Sequence, residues 1–301
     1  MDGILNVYKE RGFTSHDVVA KLRGICRQRK IGHTGTLDPE AEGVLPVCFG
    51  RATKICDFLT DQDKVYEAVL LLGKMTDTQD ISGRVLSERE VSVTEEEINR
   101  AAVGFVGTID QVPPMYSALK VDGKKLYQLA REGKEVERKA RPVTVYSLEI
   151  LEIRVPRVRF LVNCSKGTYI RTLCQDIGEV LGCGGCMEGL VRTRVGRFEK
   201  EDSLRLSEIE ALLREGELAS RLTAPDSVFA GWEKRTAREE FEKLLYNGNA
   251  LPVQAFQETS GEEPPAENIR VYDKNGVFIG VYEYREEKNH YRPRKMFYPY
   301  G

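Results

Sequence analysis

Apolar positions fall into short runs, some with the strand period and some with the helical one. Ile4, Leu5 and Val7 lie in a stretch (4–9) that predicts a short strand. Val18, Val19, Leu22, Ile25 and Cys26 recur at helical spacing and predict a helix over 17–27, after a turn at 12–15 in which Thr14 or Ser15 is the cap. A short helix is expected over 52–59, with Ile55, Phe58 and Leu59 on one side, and a strand over 65–72. Thr94 and Glu97 form a capping-box start for a helix continued by Ile98, Ala101, Ala102 and Phe105. Period-two patterning over 145–155 and 158–164, with Pro156 and Arg157 between, predicts a hairpin. Thr168 is then the expected N-cap of a helix whose buried stripe is Ile170, Leu173, Ile177 and Val180, stopping near Gly182. A basic strand-like segment (190–198) and a capped helix (207–215) follow.

Near residue 230 the character changes. The sequence predicts a helix over 236–246, strands over 251–256, 269–272 and 277–284, a turn at 273–276, and a flexible acidic loop over 259–268. The expected division is one domain over 1–230 and a small β-rich one over 231–301. Two stretches escape both periods. Residues 32–46 hold three glycines and two prolines, so neither a regular helix nor a regular strand is expected there. Residues 111–142 mix prolines, tyrosines and lysines, and read as a mobile basic insertion with Tyr116 and Tyr127 open for stacking on bases.

Composition narrows the class. With 41% hydrophobic and 31% charged residues in 301, the chain reads as soluble and globular. No apolar run approaches the ~20 residues of a membrane span, and the N-terminus lacks the pattern of a signal peptide, so a cytoplasmic protein is expected. Seven cysteines, an odd number, argue against a disulfide framework. Cys183 and Cys186 form one CxxC with no further metal-spaced ligands, and read as a glycine-rich loop after a helix. The net charge of −2 does not advertise a nucleic-acid binder, and its distribution is more informative than its sum. Residues 120–141 carry eight Lys/Arg against four acids, and 23–30 four against none, whereas 61–110 hold eleven acids against five bases; such segregation allows one basic and one acidic face.

The polar groups worth holding rigidly in the 32–46 stretch are His33 and Asp38. Pro39 biases Asp38 away from the α region, which could place a lone carboxylate as nucleophile or base; the plainer alternative is that Asp38 caps a turn. An arginine in a first helical turn, Arg171, opposes the helix dipole and calls for a nearby carboxylate, for which Asp38 is the candidate.

Gly32-His33-Thr34-Gly35-Thr36-Leu37-Asp38-Pro39, running on to Gly43-Val44-Leu45-Pro46, closely resembles the central motif of the TruB family of tRNA pseudouridine synthases. Three further stretches match in order: Lys64-Val65-Tyr66 with the 72–83 segment, Gly167-Thr168-Tyr169-Ile170-Arg171-Thr172-Leu173, and Leu190-Val191-Arg192-Thr193-Arg194-Val195-Gly196-Arg197-Phe198. The opening Lys9-x-x-Gly12-x-Thr14-Ser15 matches with Glu10 in place of the usual proline, and Glu42 stands where the family usually has threonine. The resemblance implies an α+β pseudouridine synthase fold, a mixed and largely antiparallel central sheet with flanking helices, plus a small β-rich, PUA-like C-terminal domain. It implies isomerisation of the T-loop uridine (position 55) of tRNA after that base is flipped out. Asp38 is then catalytic, Arg171 its partner, and Tyr66 the residue packed on the base. His33, Tyr169 and Leu190 shape the pocket, and Lys64, Lys120 and Arg141 hold RNA. No cofactor and no metal are needed; the expected partner is the T arm of tRNA, and a monomer with no protein or membrane partner is expected. A non-catalytic RNA-binding protein and an Asp-dependent glycosidase are the rivals, the latter lacking a second carboxylate in a recognisable motif.

Overall fold

The computed structural model describes residues 1–121, 123–257 and 265–298. The strands of the main sheet are β1 (Gly3–Lys9), β2 (Ile31–His33), β3 (Glu42–Phe49), β4 (Lys64–Leu72), β5 (Gly107–Gln111), β6 (Arg141–Arg154), β7 (Arg157–Cys164) and β8 (Gly185–Val195). They run β1-β3-β8-β4-β7-β6-β5, with β2 also pairing β3 and a short strand, Phe198–Glu199, pairing β8. Every pairing is antiparallel except β3 with β8, which touch in parallel only at Val191↔Glu42 and Arg192↔Gly43. The sheet is therefore mixed and largely antiparallel, as expected.

Helix α1 (Ser15–Ile25) covers one face. Thr14 is its cap, and Thr14 and Asp17 bond each other's backbone in a reciprocal box. Its Val18, Val19 and Leu22 pack on Leu5, Val7, Leu45 and Val47 of β1 and β3. Helix α2 (Ile170–Val180) packs on the β4, β6 and β7 side. Its buried stripe is Ile170, Leu173, Cys174 and Ile177; the expected Val180 is 67% exposed and is the helix's last residue. Thr168 is not the cap either. The cap residue is Tyr169, whose backbone is held by the Gln111 side chain, while the Thr168 hydroxyl donates to the Ser165 carbonyl.

The 32–46 stretch is less irregular than its glycines suggest, since both ends pair as strands and only 34–41 is free loop. Pro46 is tolerated inside β3 because that position is used as an acceptor: the Thr34 N–H and hydroxyl both donate to its carbonyl at 3.2 Å. Gly43 has φ +105°, and a Cβ there would run into the Arg192 carbonyl across the parallel bridge. The 52–59 segment is a 3-10 turn (Gly50–Ile55) continued by a short α-helix (Cys56–Thr60). The basic insertion leaves and returns through neighbouring strands, with Gln111 opposite Arg141. It contains a hairpin, Lys120–Val121 with Lys124–Lys125, and a short helix, Leu126–Arg131, anchored by buried Leu126 and Leu129.

The C-terminal region forms a second, five-stranded sheet from β9 (Glu233–Thr236), β10 (Leu251–Pro252), β11 (Asn268–Tyr272), β12 (Phe278–Arg285) and β13 (His290–Met296). The helix expected over 236–246 is confined to Glu242–Tyr246: Thr236 belongs to β9, which pairs β11, Ala237 bridges Phe256, and Glu239–Phe241 is a 3-10 turn. The strand expected over 251–256 ends at Pro252 and becomes a 3-10 turn. Strand β13 was not foreseen: its arginines and Pro293 hide the alternation, and its pairing with β12 makes it a strand. Of the acidic loop expected over 259–268, residues 259–264 lie outside the described residues. The two sheets share a core in which Phe229, Val281 and Phe297 pack with Ile4, Val44 and Ile55.

Gly43→Ala should lower stability by at least about 2 kcal/mol, because it strains a left-handed position and forces β3 and β8 apart. Urea unfolding measures this; an unchanged midpoint would mean that the parallel bridge has slack.

Candidate active site

The 34–41 loop is pinned from four sides. The Ser15 hydroxyl accepts from the Leu37 N–H at 2.9 Å, and Thr60 Oγ1 donates to the Thr34 carbonyl at 2.9 Å. Lys9 Nζ reaches the carbonyls of Pro39 (3.2 Å), Phe13 (2.6 Å) and Glu10 (3.2 Å). From β8, Arg192 donates through Nε to Val44 (2.7 Å) and through Nη2 to Gly35 (3.2 Å). Leu37 and Ala41 are buried in the same core as Tyr66 and Ile170. Asp38 is thus the polar tip of an otherwise anchored loop, with two-fifths of its side chain still exposed.

Arg171 meets it from the start of α2. Its Nε lies 3.0 Å from Asp38 Oδ2, Nη1 donates to the Thr78 carbonyl (3.0 Å) and Nη2 to the Tyr116 carbonyl (2.8 Å). Asp80 is a second, longer partner at 3.8 Å. Burial raises the Asp38 carboxyl above the ordinary aspartate value; Arg171 and Lys9 pull it down and Asp80 pushes it up.

The other expected residues separate into two groups. Tyr66, Leu190 and Tyr169 belong with Asp38. Tyr66 stands on β4 opposite Arg192 of β8, and Leu190 packs on the core that holds both Tyr66 and Leu37. Burial raises the Tyr66 phenol, and Arg192 partly counters this. The Tyr169 phenol is likewise raised by burial and feels Arg171, Asp38 and Arg141. His33, at the end of β2, is held near pKa 4 by burial and then by His16 and Arg192, so it is neutral at pH 7. Its Nδ1 accepts from the Gly35 N–H at 3.4 Å, which leaves the proton on Nε2, and its ring meets His16 edge-on with centroids 5.2 Å apart.

The remaining three are not gathered there. The Lys64 ammonium is buried and donates to the carbonyls of Thr60 (2.6 Å) and Gln62 (2.5 Å), closing the turn before β4. Lys120 and Arg141 are exposed on the insertion and its return strand, and neither is ion-paired among the described residues. In the insertion, Lys125 and Arg131 sit over the Tyr127 ring at 5.6 and 5.5 Å, so that ring is already covered by cations.

Three residues of this cluster were not singled out from sequence: Lys9, Asp80 and Arg192. Each lay inside a matched motif, but only the fold shows Lys9 and Arg192 as buried cations bonded to the loop's carbonyls. Asp80 accepts from the Thr78 and Ser82 hydroxyls and the Ser82 N–H, which folds the 78–82 turn so that the Thr78 carbonyl faces Arg171. Among the described residues no cluster of three or more His, Cys, Asp or Glu could hold a metal ion, and all seven cysteines are free thiols. A carboxylate fixed by a guanidinium on an anchored loop can act as nucleophile or base on a group placed against its exposed side.

Comparison with known proteins gives the class. The family model described as "TruB family pseudouridylate synthase (N terminal domain)" matches residues 23–170, and "tRNA pseudouridylate synthase B C-terminal domain" matches 171–228. The fold is that of a pseudouridine synthase. Solved structures of similar shape are a Cbf5-Nop10-Gar1 complex, with TM-score 0.74 and 26% identity over 99% of this chain and 85% of that one; and an H/ACA ribonucleoprotein bound to a substrate RNA containing 2'-deoxyuridine, with TM-score 0.74 and 24% identity over 99% and 86%. The tRNA pseudouridine synthase B of Lachnoclostridium phytofermentans is 55% identical over 99% of this chain and 100% of its own length, and that of Clostridium perfringens strain SM101 is 49% identical over 96% of each. The chain belongs to the TruB family.

Lys9 is held at about 8 against an ordinary 10.5, chiefly by burial, so the folded state holds this proton less tightly than the unfolded chain. The cost of burying the charge is fully present below pH 8 and vanishes as pH rises to about 10.5. Wild type should therefore gain stability relative to Lys9→Met between pH 7.5 and 10, read from urea unfolding; parallel curves would mean that burial does not shift this amine.

Proposed function

We propose that the protein isomerises the T-loop uridine at position 55 of tRNA to pseudouridine, with Asp38 as the catalytic residue. The observation that carries this reading is the Asp38–Arg171 pair, 3.0 Å apart on a loop anchored by buried cations and open on one side. The N1–C1′ bond breaks, the uracil turns and C5 bonds to C1′; C5 then loses its proton and N1 takes one up, so product and substrate are isomers. Nothing is oxidised and no group is transferred, so no cofactor enters. Asp38 starts the sequence, as nucleophile at C1′ or as base toward the 2′ proton. Arg171 keeps the carboxylate ionised despite its burial and fixes its direction.

Tyr66 packs on the base and assists at C5. His33, neutral and with Nε2–H free to donate, lines with Tyr169 and Leu190 the path of the flipped nucleotide. Flipping a loop nucleotide costs a few kcal/mol, offset by phosphate contacts from the insertion that carries Lys120, Lys124, Lys125 and Arg141. Seven free thiols and a tRNA substrate agree with action in the cytoplasm.

Unmodified tRNA transcript incubated with wild type should yield pseudouridine at the T-loop position, detected by a pseudouridine-specific chemical probe. Asp38→Asn should bind tRNA within a few-fold of wild type and give no product; product from both proteins would place the catalytic group elsewhere. Arg171→Met should lower kcat at least about a hundred-fold. Because the guanidinium lowers the Asp38 pKa, its loss should move the acid limb of the kcat/KM profile to higher pH. An acid limb that stays in place would detach Arg171 from the ionisation of Asp38.

A further inference from the structure

Helix α2 starts on a residue whose side chain does not cap it. Tyr169 is the N-cap and makes no side-chain cap bond, while an N–H at this point has no partner within the helix. Thr168, one residue earlier, has the chemistry of a cap, yet its hydroxyl donates to the Ser165 carbonyl at 3.0 Å. The partner comes from 58 residues away. Gln111 Oε1 accepts from the Tyr169 N–H at 2.8 Å, and Gln111 Nε2 donates to the Tyr169 carbonyl at 3.1 Å. That carbonyl also takes the first helical bond, from the Leu173 N–H at 3.0 Å. Gln111 is 2% exposed, so water does not compete for its carboxamide. A single bond would leave the helix start free to swing about it. Two bonds, from the two ends of one planar amide, fix its position and its rotation.

This fixed backbone carries part of the site. Arg171 lies two residues on, in the first turn, and its Nε meets Asp38 Oδ2 at 3.0 Å. The Tyr169 phenol lies within reach of the charges of Arg171, Asp38 and Arg141. Gln111 is also the last residue of β5, where the basic insertion leaves the sheet, opposite Arg141, where it returns. Arg138 closes this neck by donating to the Pro113 carbonyl at 3.1 Å, and the Tyr116 carbonyl accepts from Arg171 Nη2 at 2.8 Å. Arg171 is thus held from the root of the insertion twice, by its own donor and, through Tyr169, by Gln111. A local cap would end the helix equally well without tying it to the insertion.

We propose that Gln111 is a positioning residue for the reaction: its carboxamide sets the Tyr169 backbone, and through it the Arg171 guanidinium, against Asp38, so that the strand from which the insertion leaves governs the aim of the reacting carboxylate. The proposal rests on the reading that Asp38 is the reacting group. An ion pair weakens as its members separate and water enters between them. A loosened helix start therefore leaves Asp38 less firmly ionised and less well directed, and Gln111 acts through Arg171, not on the substrate.

The test compares Gln111→Met, which keeps the shape and removes both hydrogen bonds, with Gln111→Asn, which keeps the amide but is one methylene too short to make both. Both are measured at a temperature where circular dichroism shows them folded. The first readout is carbon-13 titration of the Asp38 carboxyl, assigned by its absence in Asp38→Asn. Because Arg171 pulls this carboxyl down, loosening the pair should move the titration to higher pH, by about half a unit or more in Gln111→Met. The second is turnover of unmodified tRNA transcript: kcat should fall about ten-fold or more while KM stays within about two-fold. Gln111→Asn should show both changes in smaller measure. Thr168→Ala removes a neighbouring bond that does not hold Tyr169, and should leave kcat within two-fold and the titration in place. Either readout at its wild-type value in both Gln111 variants would overturn the proposal, as would equal changes in Thr168→Ala, which would make Gln111 one contact among many at the helix end. A wild type that makes no pseudouridine, with the Asp38 titration still shifted in the Gln111 variants, would remove the isomerase reading and leave standing the hold of Gln111 on the Arg171–Asp38 pair. Active protein whose titration and kcat ignore Gln111 would do the reverse.

Discussion

A buried guanidinium must be met on every side, and Arg171 is met by three separate segments. It is 5% exposed, and its donors reach the Asp38 carboxylate, the Thr78 carbonyl and the Tyr116 carbonyl. Leaving such a cation without partners would cost several kcal/mol, so the Asp38 loop, the 78–82 turn and the root of the basic insertion are bound to one another's positions. The same contact works in the other direction. Asp38 is raised by burial, and the guanidinium beside it acts against that rise. One ion pair therefore fixes both the geometry of the carboxylate and its charge. It also links the insertion to the site, through the Tyr116 carbonyl.

Around that pair, the protein uses buried cations where a simpler fold would use apolar packing. Lys9 and Arg192 are fully or nearly fully buried, and both bond backbone carbonyls of the 34–44 region. A loop has carbonyls that no strand or helix satisfies, and a long cationic side chain can reach several at once. Arg192 does so from a strand position directly between Tyr66 on β4 and Gly43 on β3. That shared register holds the phenol and the carboxylate in one frame. Gly43 is the matching constraint, since a side chain there would meet the Arg192 backbone.

Electrostatics at longer range follows from where the fold puts charges, not from their sum. A net charge of −2 coexists with a basic insertion, and with a basic recess lined by Lys54, Arg294 and Lys295. The second sheet shares its core with the first through Phe229, Val281 and Phe297. A cation on β13 is therefore held in register with cations on the first sheet's 3-10 turn.

Local sequence determined the elements whose stabilising contacts are local. The Thr94–Glu97 capping box, the 158–164 strand and the Asp38 loop with its Gly-Pro punctuation were legible because neighbouring residues decide them. The family was legible through motif resemblance, and the dipole argument for a carboxylate near Arg171 pointed to the partner found at 3.0 Å. What sequence missed depends on distant partners. Thr168 has the residue type of a cap, but the Gln111 side chain, far away in sequence, takes the backbone of Tyr169 instead. Residues 233–236 become a strand only because β11 lies beside them, and β13 only because β12 does. Lys9 and Arg192 look like surface charges in one dimension, and Lys64 like an RNA contact; burial and unsatisfied carbonyls, which exist only in three dimensions, turn all three inward.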